Sequence, residues 1–116
     1  MDIARLQQRL REFTAERDWD QFHSPKNLAM ALTSEAGELA EVFQWMTEDQ
    51  SRTLDESSKN MAAAKEELAD VTIYLLRLTD VLHVNLEEAV NEKIALNEAK
   101  YPVDVSRGNA TKYNRR

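Results

Sequence analysis

The 116-residue chain has no cysteine, two glycines, two prolines and no long apolar run, and each shortage closes off a class of protein. Without cysteine there are no disulfide staples and no thiolate metal centres. No uninterrupted apolar stretch approaches the roughly 20 residues that a membrane-spanning helix needs. The first residues lack the charged-then-apolar pattern of a secretion signal, so the expectation is a cytosolic protein with no membrane partner. With so few turn formers and no useful alternation of apolar and polar residues, hairpins and sheets have little to build on. Basic residues are the minority, 15 Lys and Arg against 21 Asp and Glu, and the net charge of −6 argues against a general nucleic-acid binder.

What is present reads as an all-α, single-domain protein of four-helix-bundle type covering 1–116, of a length that buries a real core and leaves room for oligomerisation. Asp2 caps a first helix whose apolar positions Ile3, Leu6, Leu10 and Phe13 recur at three and four, ending near Arg17. Trp19 to His23 form an irregular aromatic segment. Ser24 and Pro25 make an N-cap and first-turn pair for a second helix running to about Met46. Polar residues from Thr47 to Asn60 predict a loop, Asn60 to Leu82 a third helix, and Asn85 with Glu88 a capping box for a fourth that stops before Pro102. From Pro102 onward Arg107, Lys112, Arg115 and Arg116 face Asp104 alone, a basic tail of net +3 that leaves −9 on the body. Such a tail is drawn to the body or to an anion the body holds.

The anomaly lies in the second helix. Leu28, Leu32, Leu39, Val42 and Met46 form an apolar seam, and the position missing from the series is Glu35. Glu38 follows one turn later on a neighbouring face, with Gly37 between them at a cost of about 1 kcal/mol against alanine, which suits a place where a backbone or ligand comes close. In the third helix Met61, Ala64, Leu68, Val71, Leu75, Leu78 and Leu82 repeat the rhythm, with Glu67 and Asp70 on its shoulder. Ionised carboxylates in such surroundings are costly unless paired, and only Arg77 and Lys65 of these two helices are on hand as partners. Four inward carboxylates therefore call for a divalent cation, and all-oxygen ligation favours Mg²⁺ or Mn²⁺. A non-catalytic helical scaffold with a solvated acidic face is the blander alternative. A carboxylate-bridged di-metal bundle is another, but its Glu-x-x-His pattern is absent, because neither His23 nor His83 stands three after a glutamate.

The segments EAGE at Glu35 to Glu38, EELAD at Glu66 to Asp70, RDWDQFHSPKNL ahead of them, and KYP and SRGNATKY after them carry a family resemblance. Together they resemble the MazG-like all-α nucleoside triphosphate pyrophosphohydrolases, most closely the dCTP pyrophosphatase branch, over nearly the whole chain. The resemblance implies cleavage between the α and β phosphates, with Mg²⁺ held by Glu35, Glu38, Glu67 and Asp70. Metal ligation leaves no need for a protein nucleophile; beside Glu38, either Glu41 or Glu66 is implied as orienter or proton acceptor. Trp19, His23, Trp45 and Tyr74 would shape a base pocket; Lys93 and Asn97, one turn apart, match the family's polar pair, and Arg107, Lys112 and Tyr113 its tail motif. Packing against the bundle or plain solvation is the competing account of each. Leu10 stands where the eukaryotic members carry histidine, which puts cytosine preference in question. Family members work as dimers assembled into tetramers, and a third helix that is apolar nearly all round suits a homodimer or homotetramer.

Overall fold

A computed structural model describes residues 1–115 and contains helices and no strand among them, the all-α class implied by the shortage of turn formers. Arg116, counted with the basic tail, lies outside the described residues. The chain divides into two compact units, 1–83 and 84–116.

In the first unit, α1 (Ile3–Glu16) begins where Asp2 accepts the Arg5 N–H at 3.1 Å, which satisfies one of the donors that a helix start leaves over. It ends at Arg17, and Asp18 then takes a left-handed φ of 54° to turn the chain. A 3-10 turn at Asp20–Phe22 follows. Ser24 caps α2 (Pro25–Phe43) by accepting the Asn27 N–H at 3.2 Å, with proline in the first turn, where no N–H is required.

Two boundaries differ from the sequence expectation. Helix α2 stops at Phe43 rather than Met46, and the expected loop contains a short helix, α3 (Glu48–Arg52). One cause covers both: Thr47 and Gln50 form a reciprocal capping box, which holds Thr47 in extended backbone and so obliges α2 to end before it. Ser58 then caps α4 (Lys59–Val81), one residue ahead of the expected start.

Helix α2 lies along α4, and α1 packs on α4 less extensively. Leu28, Ala64 and Leu76 are buried, while Leu32, Leu39, Val42 and Met46 of the α2 seam are half-buried beside Glu35. The α4 seam is a correction. Leu68 is 53% exposed, whereas Glu67 and Asp70 are more enclosed than it is. Because α4 is apolar nearly all round, its pattern permitted more than one orientation, and the one adopted turns the carboxylate shoulder toward α2. Leu68 and Ile73 instead join Leu6, Leu10, Phe13 and Leu76 in an apolar groove of about 500 Å³ between α1 and α4.

At Gly37 a Cβ built on the backbone meets no atom within 4 Å, so of the two expectations, backbone or ligand, no close approach of backbone among the described residues requires the glycine. Gly37→Ala is therefore expected to stabilise the folded chain by roughly 0.5–1 kcal/mol, read as a raised melting temperature. A lowered one would mean that the added methyl meets something the single chain does not contain.

The second unit holds α5 (Leu86–Lys100), α6 (Val103–Ser106) and a 3-10 turn at Tyr113–Arg115. Asn85 caps α5 by accepting the Glu88 N–H at 3.0 Å, and the helix ends ahead of Pro102 as the sequence implied. No helix among the described residues is long and apolar enough to cross a membrane.

Candidate metal centre

The packing of α2 on α4 sets the site. Glu35 and Glu38 lie one turn apart on α2, and Glu67 reaches across from α4. A carboxylate oxygen from each lies within 4.8 Å of those of the other two. Two of the oxygens, Oε2 of Glu35 and Oε2 of Glu67, are buried and accept no hydrogen bond. A buried anionic oxygen without a donor is costly, and neither expected cation relieves it. Arg77 is engaged with Asp20, Asp80 and His23, and Lys65 is exposed, with no ion pair to the cluster.

Crowding shows in the acid–base behaviour. The Glu35 carboxyl is pushed above its ordinary range, first because its protonated form can donate to the neighbouring Glu67, then by partial burial and by the charges of Glu67 and Asp70, against the opposing pull of Glu38. Glu38 is likewise raised, chiefly by its hydrogen bond and like charge with Glu35, with Glu41 adding repulsion. For Glu67 the hydrogen bond from Glu35 pulls down, but burial together with Glu38 and Asp70 outweighs it and the net direction is up. All three raised groups lend stability below the ordinary glutamate range and lose it as pH rises through their folded-state values. In EDTA, the melting temperature of the parent is expected to fall relative to Glu35→Gln as pH rises from the glutamate range toward neutrality, so the variant melts higher at pH 7. Added Mg²⁺ should then stabilise the parent more than the variant. Parallel pH profiles for the two proteins, with no response to Mg²⁺, would contradict the strain described here.

The donor set suits a hard divalent cation. It is all oxygen, contributed by two helices, with two lone-pair sites already desolvated and unpartnered. No histidine or other softer ligand belongs to the cluster. Asp70 stands just outside the trio, near enough for its charge to act on Glu35 and Glu67. Both further acids, Glu41 and Glu66, are exposed, and the charge of Glu41 reaches Glu38.

The aromatic candidates are placed differently from one another. Trp45, in the turn after α2, is 89% exposed and so is no part of this chain's core. Trp19 packs edge-on against Phe13 with ring centroids 5.6 Å apart, and Tyr74 is half-buried on α4. His23 is half-buried and accepts from Arg77 at its Nδ1. In the second unit, Lys93 and Asn97 are exposed one turn apart on α5, Arg107 ends α6, and Lys112 is exposed. Tyr113 packs edge-on against Tyr101 at 6.1 Å, with the Lys100 ammonium 5.0 Å from its ring centre. Sequence reasoning missed Asp20 and Asp80 as partners of Arg77; an arginine inside the apolar run VTIYLLRL, with an aspartate three residues later, was the available signal.

Comparison with known proteins bears on the whole arrangement. Residues 30–115 match the MazG-like family. The chain is 50% identical to dCTP pyrophosphatase 1 of Mus musculus and 46% identical to that of Homo sapiens, in each case over 97% of this chain and 64% of the relative. It thus spans just under two thirds of the length of those relatives. A crystal structure of a pyrophosphatase from Archaeoglobus fulgidus superimposes with a TM-score of 0.80 at 44% identity, covering 88% of this chain and 94% of that one.

Proposed function

Because this chain belongs to the MazG-like family, we propose that it hydrolyses nucleoside triphosphates, dCTP and related pyrimidine nucleotides foremost, to the monophosphate and pyrophosphate. The observation that carries this reading is the convergence of Glu35, Glu38 and Glu67 from two helices, with two buried carboxylate oxygens lacking any donor. The names of the similar pyrophosphatases support it and suggest the base.

Water adds to the α phosphorus, the bond to the bridging oxygen breaks, and pyrophosphate leaves with that oxygen. Glu35, Glu38, Glu67 and Asp70 would hold Mg²⁺, or Mn²⁺ in its place. When bound, such an ion neutralises phosphate charge and lowers the pKa of water. Glu38 and Glu41 lie on the same helix one turn apart, and Glu41 or Glu66 would take the proton from the attacking water. Trp19, His23, Trp45 and Tyr74 would hold the base. By the family resemblance Lys93, Asn97, Arg107, Lys112 and Tyr113 would be further substrate-binding residues, with Lys93 supplying a compact positive charge suited to phosphate. Assembly into a dimer or tetramer would cover Met30, Leu68, Ile73 and Trp45, all exposed in the single chain. A cytoplasmic setting, where nucleotide pools lie, completes the reading.

The test is a panel of nucleoside triphosphates assayed for pyrophosphate. Release with Mg²⁺ and none in EDTA is expected, with dCTP among the best substrates. Orthophosphate as the product would mean that a different bond is cut, and silence across the panel would favour a scaffold.

A further inference from the structure

Arg77 takes no part in the chemistry above, yet it is the one charged residue that is buried among those described, at 6% exposure. Its guanidinium makes three contacts. Nη2 lies 3.3 Å from Asp20 Oδ1, Nη1 lies 3.6 Å from Asp80 Oδ2, and Nε donates to His23 Nδ1 at 3.3 Å. Both carboxylates are held in turn: Thr14 Oγ1 donates to Asp20 Oδ1 at 2.9 Å, and Arg11 Nε lies 2.9 Å from Asp80 Oδ2. Helices α1 and α4 are thereby tied to the short segment that carries Trp19 and His23.

The chemistry of the third contact is one-directional. An arginine N–H in a protein is always a donor, so the imidazole nitrogen facing it must be an acceptor. The neutral ring then carries its proton on Nε2, for which the described residues offer no partner. The surroundings favour that neutral form. The imidazole is held below its ordinary range first by burial, then by the charge of Arg77, with Asp20 pulling the other way. The charges acting on it are Arg77 from α4 and Asp20 from the adjoining turn; Asp80 and Arg11 join the network through Arg77.

We infer that Arg77 is a positioning residue for substrate choice: by occupying Nδ1 of His23 it fixes the Nε2–H tautomer, and the Trp19–His23 segment so offers the base a hydrogen-bond donor. The inference rests on the proposed pyrimidine reading and sharpens it. Cytosine presents unprotonated N3 beside O2, and both accept. Uracil and thymine share the O2 acceptor, so the discrimination lies at N3, where they present N3–H, a donor that would face a donor. A buried polar mismatch of that kind discriminates far better than pocket size. This supplies a route to cytosine preference that does not depend on the position held by Leu10.

The test begins with the unaltered protein. The chain has only two histidines, and exposed His83 is the internal reference. Long-range ¹H–¹⁵N correlation spectra should show His23 as neutral Nε2–H at pH 7; finding Nδ1–H or imidazolium overturns the inference. Titration with dCMP, which has no anhydride bond to split, should move the His23 Nε2 resonance, and dUMP should move it less. If dCMP shifts other residues and leaves His23 unmoved, the inference alone falls. If dCMP shifts nothing, the pyrimidine reading falls with it. In kinetics, Arg77→Lys keeps a positive charge but cannot serve Asp20, Asp80 and His23 together. It should lower kcat/KM for dCTP about tenfold, through kcat as well as KM, and narrow the preference for dCTP over dUTP. Equal losses on dCTP, dUTP and tripolyphosphate would make Arg77 structural only.

Discussion

Replacing Glu35, Glu38, Glu67 or Asp70 singly by alanine is expected to lower pyrophosphate release at least a hundredfold, a loss of about 2.7 kcal/mol of transition-state stabilisation. The direction follows from geometry. Three of these carboxylates share one space between α2 and α4, and among the described residues no cation is paired with them. The fourth acts on two of them through its charge. Side chains that repel one another contribute little to holding the helices together. Each variant should therefore keep its helix content by circular dichroism and melt no lower than the parent in EDTA. Loss of activity with retained stability is the signature of ligation; loss of both would mean that the carboxylates build the fold. Normal turnover in two of the four variants would sink the site assignment.

Trp45→Ala should lower kcat/KM for dCTP at least tenfold, about 1.4 kcal/mol, while changing hydrolysis of bare tripolyphosphate much less. Its ring is 89% exposed, so truncating it removes little from the chain's own core. An aromatic face in solvent, just past the end of the helix that carries Glu35 and Glu38, is suited to a base, because stacking is worth roughly 1–3 kcal/mol per base. Binding energy gained at the base helps align the reacting phosphorus with water, so kcat should suffer as well as KM. Parent and variant compared on dCTP, dUTP, dTTP, dATP and dGTP would show the gap between dCTP and the purines narrowing. Equal losses on all five and on tripolyphosphate would leave Trp45 a contact between subunits or a packing residue.

The sequence disclosed helices more readily than orientations. Caps are local, so Asp2, Ser24 and Asn85 marked their helix starts correctly. The gap left by Glu35 in the α2 seam was visible because a single apolar stripe has one inward direction. Helix α4 has no such stripe, and Leu68, an apparent seam residue, proved more exposed than Glu67. Helix α3 was hidden because it has no apolar face to detect, although Thr47 with Gln50 is a legible capping box. The pairing of Arg77 with Asp20 was hidden for another reason. Asp20 lies 57 residues away in a segment with no periodicity to locate it, and pairing over such distances is decided by packing rather than spacing.

The way the acidic trio is split between two helices also governs what changes of length the chain can bear. Residues 44–58 join α2 to α4 without supplying any of the three carboxylates. Lengthening that connection by a few residues costs mainly closure entropy, which grows slowly with loop length. One residue inserted between Leu28 and Glu35 is a different matter, for it turns everything beyond it by about 100° around the helix. Glu35 and Glu38 would swing away from Glu67, and Leu39 and Val42 would leave the seam with them. Among homologous chains, insertions and deletions should therefore collect between α2 and α4 and be excluded from the four turns that separate Leu28 from Val42.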